Sequence, residues 1–178
     1  MRKLGMDELQ RKSVNEFRES EKTPVVVVLD NIRSMHNVGS VFRTADAFLL
    51  EEICLCGFTP RPPHRDIHKT ALGATETVKW RYFEDTASAV RALKEEGYVV
   101  YAVEQVEGSV MLQDLMERVS GRVAVVFGNE VDGVGQEALG LCDGCIEIPQ
   151  WGMKHSLNIS IAAGIVLWEV VRSWRVKS

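Results

Sequence analysis

Apolar runs rich in β-branched residues alternate with amphipathic stretches along most of the chain. The apolar runs predict strands at residues 25–29, 53–56, 98–103, 123–127 and 145–148, with a shorter candidate strand at 78–82. The amphipathic stretches predict helices at residues 38–50, 86–96, about 111–119, 136–141 and 158–174. Nearer the N-terminus, Leu9, Val14 and Phe17 have helical spacing and predict a short helix that ends before Pro24.

The order of these elements predicts the fold class. The continuous apolar run of residues 25–29 is typical of a strand that is covered on both faces. Because strands alternate with helices, we expect an α/β domain with a mainly parallel sheet flanked by helices. The length of 178 residues suits one such domain. We place this domain at residues 24–178 and regard residues 1–23 as an N-terminal helical extension.

Composition excludes several classes of protein. With 46% apolar and 26% charged residues, the chain has the make-up of an ordinary globular protein. Its longest uncharged stretch, residues 156–168, is shorter than the roughly 18 apolar residues that a membrane-spanning helix needs. The N-terminus lacks the continuous apolar segment of a secretory signal. We therefore expect a cytoplasmic protein that does not associate with a membrane.

Common cofactor and metal motifs are absent or incomplete. Neither G-x-G-x-x-G nor G-x-x-x-x-G-K-[ST] occurs, which disfavours a dinucleotide dehydrogenase and a P-loop NTPase. His64 and His68 have the spacing of H-E-x-x-H but lack its glutamate. The chain has four cysteines, which are Cys54, Cys56, Cys142 and Cys145. They are either buried strand residues or the ligands of a four-cysteine zinc site. The paired C-x-x-C knuckles of such zinc sites are missing, so we expect no metal.

Three unusual segments follow predicted strands, at residues 30–39, 128–133 and 149–158. Ligands of open parallel sheets collect beyond the carboxyl ends of the strands, so these segments are expected to carry function. The second segment brings the carboxylate of Glu130 to this edge of the sheet. The third ends at Ser156 and Asn158, which either cap the following apolar helix or take part in a site.

The first segment continues into a helix that suits an anion. Gly39 near the helix start allows close approach of the backbone, and Arg43 lies one turn further along the same side. A phosphate can bind there. In the alternative interpretation, Asn37 only caps the helix and Arg43 pairs with an acidic residue.

Taken in order, the segments contain N-x-G-x-x-x-R-T-A, G-x-E-x-x-G and I-P-x-x-x-x-x-x-S-L-N. Together they resemble the three signature motifs of the SpoU/TrmH family of RNA ribose 2'-O-methyltransferases, and residues 69–74 are similar to a small-residue stretch of many members. The resemblance implies a SPOUT fold with a C-terminal trefoil knot, S-adenosyl-L-methionine as cofactor, and a homodimer whose active site is completed across the interface. The apolar C-terminal helix with Trp168 and Trp174 suits such an interface, and packing within the monomer is an equally simple alternative.

The resemblance also implies roles for individual residues. Those that line the cofactor pocket are Gly128, Ile148 and Leu157. Those that form the catalytic cluster are Asn37, Arg43, Glu130, Ser156 and Asn158. The arginine of this motif activates the 2'-hydroxyl; because a guanidinium stays protonated, we expect Arg43 to hold the adjacent phosphate and to stabilise the developing alkoxide. Glu130 and Asn37 would orient Arg43 and the methyl donor, and Ser156 and Asn158 would bind the substrate or hold their loop.

The distribution of charged residues along the chain indicates where RNA is expected to bind. The formal net charge of −4 gives no global sign of a nucleic-acid binder, but a local basic patch can still bind RNA. Residues 57–70, a predicted loop, form the most basic window of the chain. We expect RNA phosphates to contact Arg33, Arg61, Arg65 and Lys69, with a merely solvated loop as the alternative. The short N-terminal extension favours tRNA over rRNA as substrate, and a noncatalytic RNA-binding module is the alternative function.

Overall fold

A parallel sheet forms the centre of the fold. The computed structural model describes residues 1–9, 12–115, 121–154 and 156–177. Its strands are β1 (Thr23–Asp30), β2 (Leu50–Cys56), β3 (Trp80–Phe83), β4 (Val99–Val103), β5 (Val110–Met111), β6 (Val123–Phe127) and β7 (Gly144–Glu147). They are ordered β3-β2-β1-β6-β4-β7-β5, and every described neighbouring pair is parallel. The predicted fold class is therefore confirmed, and the trefoil knot stays a prediction.

Helices cover both faces of this sheet. Those described are α1 (Val14–Glu19), α2 (Met35–Ala47), α3 (Arg65–Ala71), α4 (Ala74–Thr77), α5 (Thr86–Glu95), α6 (Gln136–Leu141) and α7 (Ile159–Lys177). Short 3-10 turns occur at Met6–Leu9 and Leu112–Asp114. Within the described ranges, no helix combines the length and the apolar character that crossing a bilayer requires.

Alternate residues of the strands serve two separate cores. In β1, Val25, Val27 and Leu29 pack in the larger cluster, which contains residues of α2 and α7. Val26 and Val28 point to the other face, into a cluster that contains residues of α5 and α6. This division explains why the strand is apolar at every position from 25 to 29, as expected for a strand buried on both sides.

The N-terminal helix is packed onto this domain. Its Phe17 is buried in the larger core cluster, and Arg18 donates a hydrogen bond of 2.9 Å to the backbone oxygen of Glu76. A capping box fixes the start of the helix, because Ser13 and Glu16 each accept a hydrogen bond from the other's backbone N–H.

Two predicted boundaries are wrong near α2, for local reasons. The helix begins at Met35 rather than at residue 38, since the Ser34 side chain caps it by accepting a hydrogen bond from the Asn37 backbone N–H. It ends at Ala47 rather than at residue 50, because the chain turns at Leu49, which has a positive φ of 53°. Leu50 is already the first residue of β2.

The basic window at residues 57–70 is not wholly a loop. It contains most of α3, whose start is capped by His64 through a hydrogen bond from the Asp66 backbone N–H to His64 Nδ1. The predicted helix at 111–119 also differs from the structure at its start. Met111 is the last residue of β5, and residues 112–114 form a 3-10 turn. The part of that prediction at 116–119 falls outside the described residues.

Close packing of α3 against the first turns of α2 depends on Gly39. A Cβ atom at this position would collide with Thr70 Oγ1 and with the carbonyl oxygen of Ile67. The same threonine hydroxyl donates a hydrogen bond of 3.1 Å to the His36 carbonyl oxygen. Gly39 therefore permits the backbones of the two helices to approach, which places the basic residues of α3 beside the segment that carries Asn37 and Arg43.

We predict that Gly39→Ala destabilises the protein, because α3 must move away from α2. Overpacking of this kind costs about 1–3 kcal/mol, and thermal denaturation should show a melting temperature lower by about 2–4 °C per kcal/mol lost. Gly140→Ala in α6 is the matched control, since nothing lies within 4 Å of an added Cβ there. Equal stabilities of the two variants would contradict the packing role of Gly39.

Candidate functional site

The three loops that carry the motifs meet at the carboxyl edge of the sheet. They follow β1, β6 and β7. A cavity of about 460 Å³ lies beside them, lined by residues of the loops after β6 and β7, by residues 103–105 at the end of β4 and by the start of α7. The residues predicted to bind the cofactor all line it, and they are Gly128, Ile148 and Leu157. Three residues of the predicted catalytic cluster line it as well, namely Glu130, Ser156 and Asn158. The cavity has both apolar walls, such as Phe127 and Ile146, and polar groups.

Glu130 joins the first two loops. Its carboxylate accepts hydrogen bonds from the backbone N–H groups of Arg33 (3.1 Å) and Ser34 (3.4 Å) and from Asn37 Nδ2 (3.0 Å). Partial desolvation by itself would raise the pKa of Glu130, but hydrogen bonds from these donors outweigh it and lower the pKa below its ordinary value. The carboxylate is therefore held ionised beside the start of α2.

Asn37 and Asn158 connect this network to the third loop. Asn158 Nδ2 donates to Asn37 Oδ1 at 3.3 Å, so the two side-chain amides and the Glu130 carboxylate form one chain of hydrogen bonds. Asn37 is not the helix cap, because Ser34 fills that role and leaves the Asn37 side chain free for Glu130. Asn158 Oδ1 also accepts a hydrogen bond from the Ser160 backbone N–H near the start of α7, as expected for a residue that caps this helix.

The loop after β6 is a tight turn built on Asn129. The backbone groups of Asn129 and Gly133 exchange two hydrogen bonds, of 2.9 and 3.0 Å, and Asn129 Oδ1 accepts from the backbone N–H groups of Val131 and Asp132. Gly133 has a positive φ of 70°, and a Cβ on Gly128 would collide with the backbone at Gly133 and Val134. Both glycines of the motif are therefore required by the turn.

Two carboxylates that support this loop were missed in the sequence. Asp30 is 2% exposed and accepts hydrogen bonds from Thr86 Oγ1 (2.5 Å), Asn31 Nδ2 (2.8 Å) and the Gly135 backbone N–H (2.7 Å). Glu104 lines the cavity and accepts from the backbone N–H groups of Gln105 and Val134. Each is the first acidic residue at or after the end of an apolar strand, which is the signal that could have identified them.

Arg43 and Ser156 stand apart from this hydrogen-bond network. Arg43 is exposed on α2, and no side chain in the described ranges pairs with it, so the predicted alternative of a paired structural arginine is not supported there. It shares a helix face with His36 and Ser40, by helical spacing. Ser156 is exposed at the rim of the cavity.

The residues predicted to contact RNA lie on exposed surface. Arg33 follows β1, and its backbone donates to Glu130. The guanidinium of Arg61 lies over the ring of Tyr82, 4.1 Å from its centroid. Arg65 and Lys69 are on α3, where Lys69 Nζ is 2.7 Å from the carboxylate of Asp66. A second cavity, of about 710 Å³, is lined in part by this helix.

The cysteines do not form a cluster with metal-binding geometry. Within the part of the chain that the structure describes, no group of three or more His, Cys, Asp or Glu residues could hold a metal ion. Cys54 and Cys56 are buried on one face of β2, and Cys142 and Cys145 pack against the same core cluster. Desolvation raises the pKa of Cys54 and Cys145 above the ordinary range, and that of Cys56 and Cys142 to about 12.

Comparison with known proteins agrees with the motifs. The tRNA (guanosine(18)-2'-O)-methyltransferase of Thermus thermophilus is 34% identical over 165 residues, which cover 93% of this chain and 83% of that enzyme. The TrmH/SpoU tRNA modifying enzyme of A. aeolicus has a similar structure, with a TM-score of 0.82, 26% identity and coverage of 92% of this chain and 82% of that one. For the AdoMet-bound rRNA methyltransferase of Sinorhizobium meliloti the TM-score is 0.77, with 29% identity and coverage of 88% and 59%.

A model of the SpoU rRNA Methylase family matches residues 24–168, which extend from β1 into α7. All three motif segments fall within this match. The chain therefore belongs to the SpoU rRNA Methylase family.

Proposed function

We propose that this protein transfers a methyl group from S-adenosyl-L-methionine to a ribose 2'-hydroxyl in structured RNA, with tRNA favoured over rRNA. The observation that carries the proposal is the chain of hydrogen bonds from Glu130 through Asn37 to Asn158, which joins three motif loops at the mouth of one cavity. An RNA substrate would place the activity in the cytoplasm, as expected from the sequence.

The cavity suits the cofactor in size and chemistry. Its volume of about 460 Å³ is within the range of about 300–1,000 Å³ that is common for small-molecule sites. Phe127, Ile146 and Ile148 offer apolar surface for an adenine ring, and the turn at Gly128 exposes backbone groups for polar contacts. When bound, S-adenosyl-L-methionine supplies a methyl group on a sulfonium, which is already activated, so the proposed reaction uses no metal ion.

Arg43 is the proposed catalytic residue that meets the RNA. Its guanidinium has no partner within the described ranges and is exposed on α2, so it is available to a phosphate. A guanidinium stays protonated in proteins, which makes it unsuited to accept a proton itself. We assign it to holding the phosphate next to the reacting nucleotide and to stabilising negative charge that develops on the 2'-oxygen, while the hydroxyl proton passes to that phosphate or to solvent.

The remaining residues of the cluster position these groups. The Glu130 carboxylate fixes the start of α2, on which Arg43 lies two turns further, by accepting hydrogen bonds from Arg33 and Ser34. Asn37 and Asn158 hold the third loop against this helix, and Ser156 at the cavity rim is free to bind the ribose. Positioning of this kind lowers the barrier by aligning the reacting atoms before the transfer.

A homodimer is part of the proposal. Ile161, Ile165 and Trp168 are 55%, 39% and 56% exposed and form an apolar stripe along about two turns of α7. The Trp168 ring lies 6.0 Å from that of Phe48 at the end of α2, so the stripe extends toward the helix that carries Arg43. Covering it with a second copy would bury apolar surface close to the catalytic elements.

The proposal is tested by incubating the protein with S-adenosyl-L-methionine and separate pools of unmodified tRNA and rRNA. Digestion and mass spectrometry then measure 2'-O-methylnucleosides. We expect product in the tRNA pool. Cofactor binding and RNA binding without product in either pool would favour a noncatalytic RNA-binding module, and absence of cofactor binding would overturn the enzyme assignment.

We predict that Arg43→Ala abolishes methyl transfer but leaves the affinity for S-adenosyl-L-methionine unchanged, because Arg43 does not line the cofactor cavity. Calorimetric titration measures the affinity and the nucleoside assay measures the transfer. Arg91→Ala is the control, since this exposed arginine pairs with Glu137 on the opposite face of the sheet and should keep both properties. Loss of cofactor binding together with activity in Arg43→Ala would indicate a structural role instead.

Reversing two charges of the basic window should flatten the salt dependence of RNA binding. In Arg61→Glu/Arg65→Glu we expect the slope of log K against log salt to decrease in magnitude by about 1–2, the contribution of two phosphate contacts. Filter binding at several salt concentrations measures it. Arg91→Glu/Lys94→Glu on α5 changes the net charge equally on the other face of the sheet. The same slope in both double variants would exclude a specific contact.

For the dimer, we predict that Ile165→Glu gives a monomer in sedimentation equilibrium, because an ionised carboxylate in an apolar interface is strongly unfavourable. Val14→Glu is the matched control, since Val14 has nearly the same exposure, 40% against 39%, and lies on α1. A monomeric wild-type protein would contradict the homodimer directly.

A further inference from the structure

A second cavity, the α3 cavity, lies away from the three motif loops. It has a volume of about 710 Å³ and is bounded by the segment before α3, by α3 itself, by α4 and by Trp80 at the start of β3. It shares no lining residue with the cofactor cavity. The activity proposed above uses only Arg65 and Lys69 of its lining, as expected phosphate contacts, and gives its other residues no role.

The walls of the α3 cavity are flat and ring-bearing. Pro62, Pro63, His64, His68 and Trp80 all line it. Trp80 is half-buried, and it packs against the larger core cluster, which fixes its indole. An indole held in this way offers a rigid stacking surface, and imidazole rings offer smaller ones. Planar aromatic molecules fit such a site better than flexible alkyl chains do.

The rim of the same cavity is basic. Arg65 and Lys69 line it from α3, and Lys69 is held by Asp66 at 2.7 Å. No described side chain pairs with Arg65. Arg61 lies nearby over Tyr82, which is two residues from Trp80 on β3 and therefore on the same face of that strand. Ring-bearing side chains together with cations are the combination that holds a base and its phosphate.

One acidic side chain lines the cavity within the described ranges, and it adds selectivity. The Glu76 carboxylate can only accept hydrogen bonds, so it suits a base edge that carries an amino group. Adenine, cytosine and guanine have such an edge, and uracil does not. Thr75 beside it supplies a hydroxyl that can donate or accept.

The position of the cavity relates it to the catalytic helix. α3 packs directly on α2 at Gly39, and Thr70 of α3 donates to the His36 carbonyl oxygen. The helix that forms one wall of the α3 cavity thus contacts the helix that carries Asn37 and Arg43. An RNA strand with its reactive ribose at Arg43 can follow α3 to this cavity.

We propose that the α3 cavity binds an unstacked, amino-bearing nucleobase of the RNA substrate, at a nucleotide other than the one that is methylated. The base stacks on Trp80, its amino group donates to Glu76, and its phosphate contacts Arg65. This proposal rests on the RNA-directed function above and deepens it, because it assigns a second contact that selects the RNA. The site increases affinity for RNA without touching the reacting atoms.

Trp80→Leu tests the stacking surface, since leucine keeps apolar volume but has no ring. With unmodified tRNA and rRNA transcripts as probes, we expect the Kd of the bound transcript to increase about ten-fold, the effect of losing one stacked base. Trp80→Phe retains a ring and should recover most of the affinity. The rate at saturating RNA and the affinity for S-adenosyl-L-methionine should remain those of the wild type, because Trp80 does not line the cofactor cavity.

Ultraviolet cross-linking of the same transcripts locates the contact independently of any variant. After digestion, mass spectrometry should find a nucleotide attached to the peptide that contains Trp80 or to residues 61–69. His68→Leu is the second variant, because this exposed side chain can change without disturbing the core; it should also weaken RNA binding. Thermal denaturation verifies that both variants are folded.

The outcomes separate the two proposals. If RNA is bound and methylated, but cross-links lie elsewhere and Trp80→Leu and His68→Leu bind RNA as the wild type does, the cavity assignment is wrong and the proposed function stands. If the wild type neither binds nor methylates any transcript, the proposed function fails and the cavity assignment fails with it. Cross-links that fall on uridine alone would overturn the role of Glu76.

Discussion

A buried carboxylate at the end of the central strand connects two of the three loops at the functional edge. Asp30 ends the central strand β1 and is almost fully removed from water, so its oxygens require donors if the charge is not to cost several kcal/mol. These donors come from three places: Asn31 in the loop after β1, Thr86 at the start of α5, and the Gly135 backbone beyond β6. This carboxylate thus ties the end of β1 to the start of α5 and to the segment before α6, which cover the same face of the sheet. The loop after β1 starts at this anchored residue, and the segment that follows the loop after β6 is fixed to it at Gly135, so both loops are well positioned although they are irregular.

Glu130 acts in a similar way nearer the surface, because its carboxylate also holds separate segments together through hydrogen bonds. Its carboxylate accepts donors from the segment before α2, and that segment leads to Asn37 and, further along the helix, to Arg43. The acid therefore does not contact Arg43; it acts on the helix that carries it. The N–H groups at the start of a helix attract negative charge, and Glu130 occupies that position permanently. In the function proposed above, an RNA phosphate would therefore bind further along the helix, where Arg43 is exposed.

The fold class could be predicted from the sequence because it depends on local patterns, and the resemblance of the motifs implied residues of which six line the cavity. Continuous apolar runs such as residues 25–29 identify strands buried on both faces, and the motif order identifies the loops that meet. The short helices α3 and α4 were missed, since α3 has only Ile67 and Ala71 as buried residues and follows two prolines. β5 consists of two residues and is defined by its pairing with β7. Asp30 and Glu104 were missed because their importance arises from partners distant in sequence, at Gly135 and Val134.

The arrangement of the four cysteines has a consequence for handling the protein. Cys54 and Cys56 are buried, Cys142 and Cys145 are half-buried, and desolvation raises the pKa of all four thiols, which disfavours the thiolate that reacts with oxidants, alkylating agents and disulfides. The native thiols of the folded protein should accordingly react more slowly than an exposed cysteine. A new surface cysteine can be labelled with a maleimide dye while all native cysteines stay in place, so fluorescence studies of RNA docking do not require a cysteine-free background. Rapid labelling of the native thiols would then report unfolding.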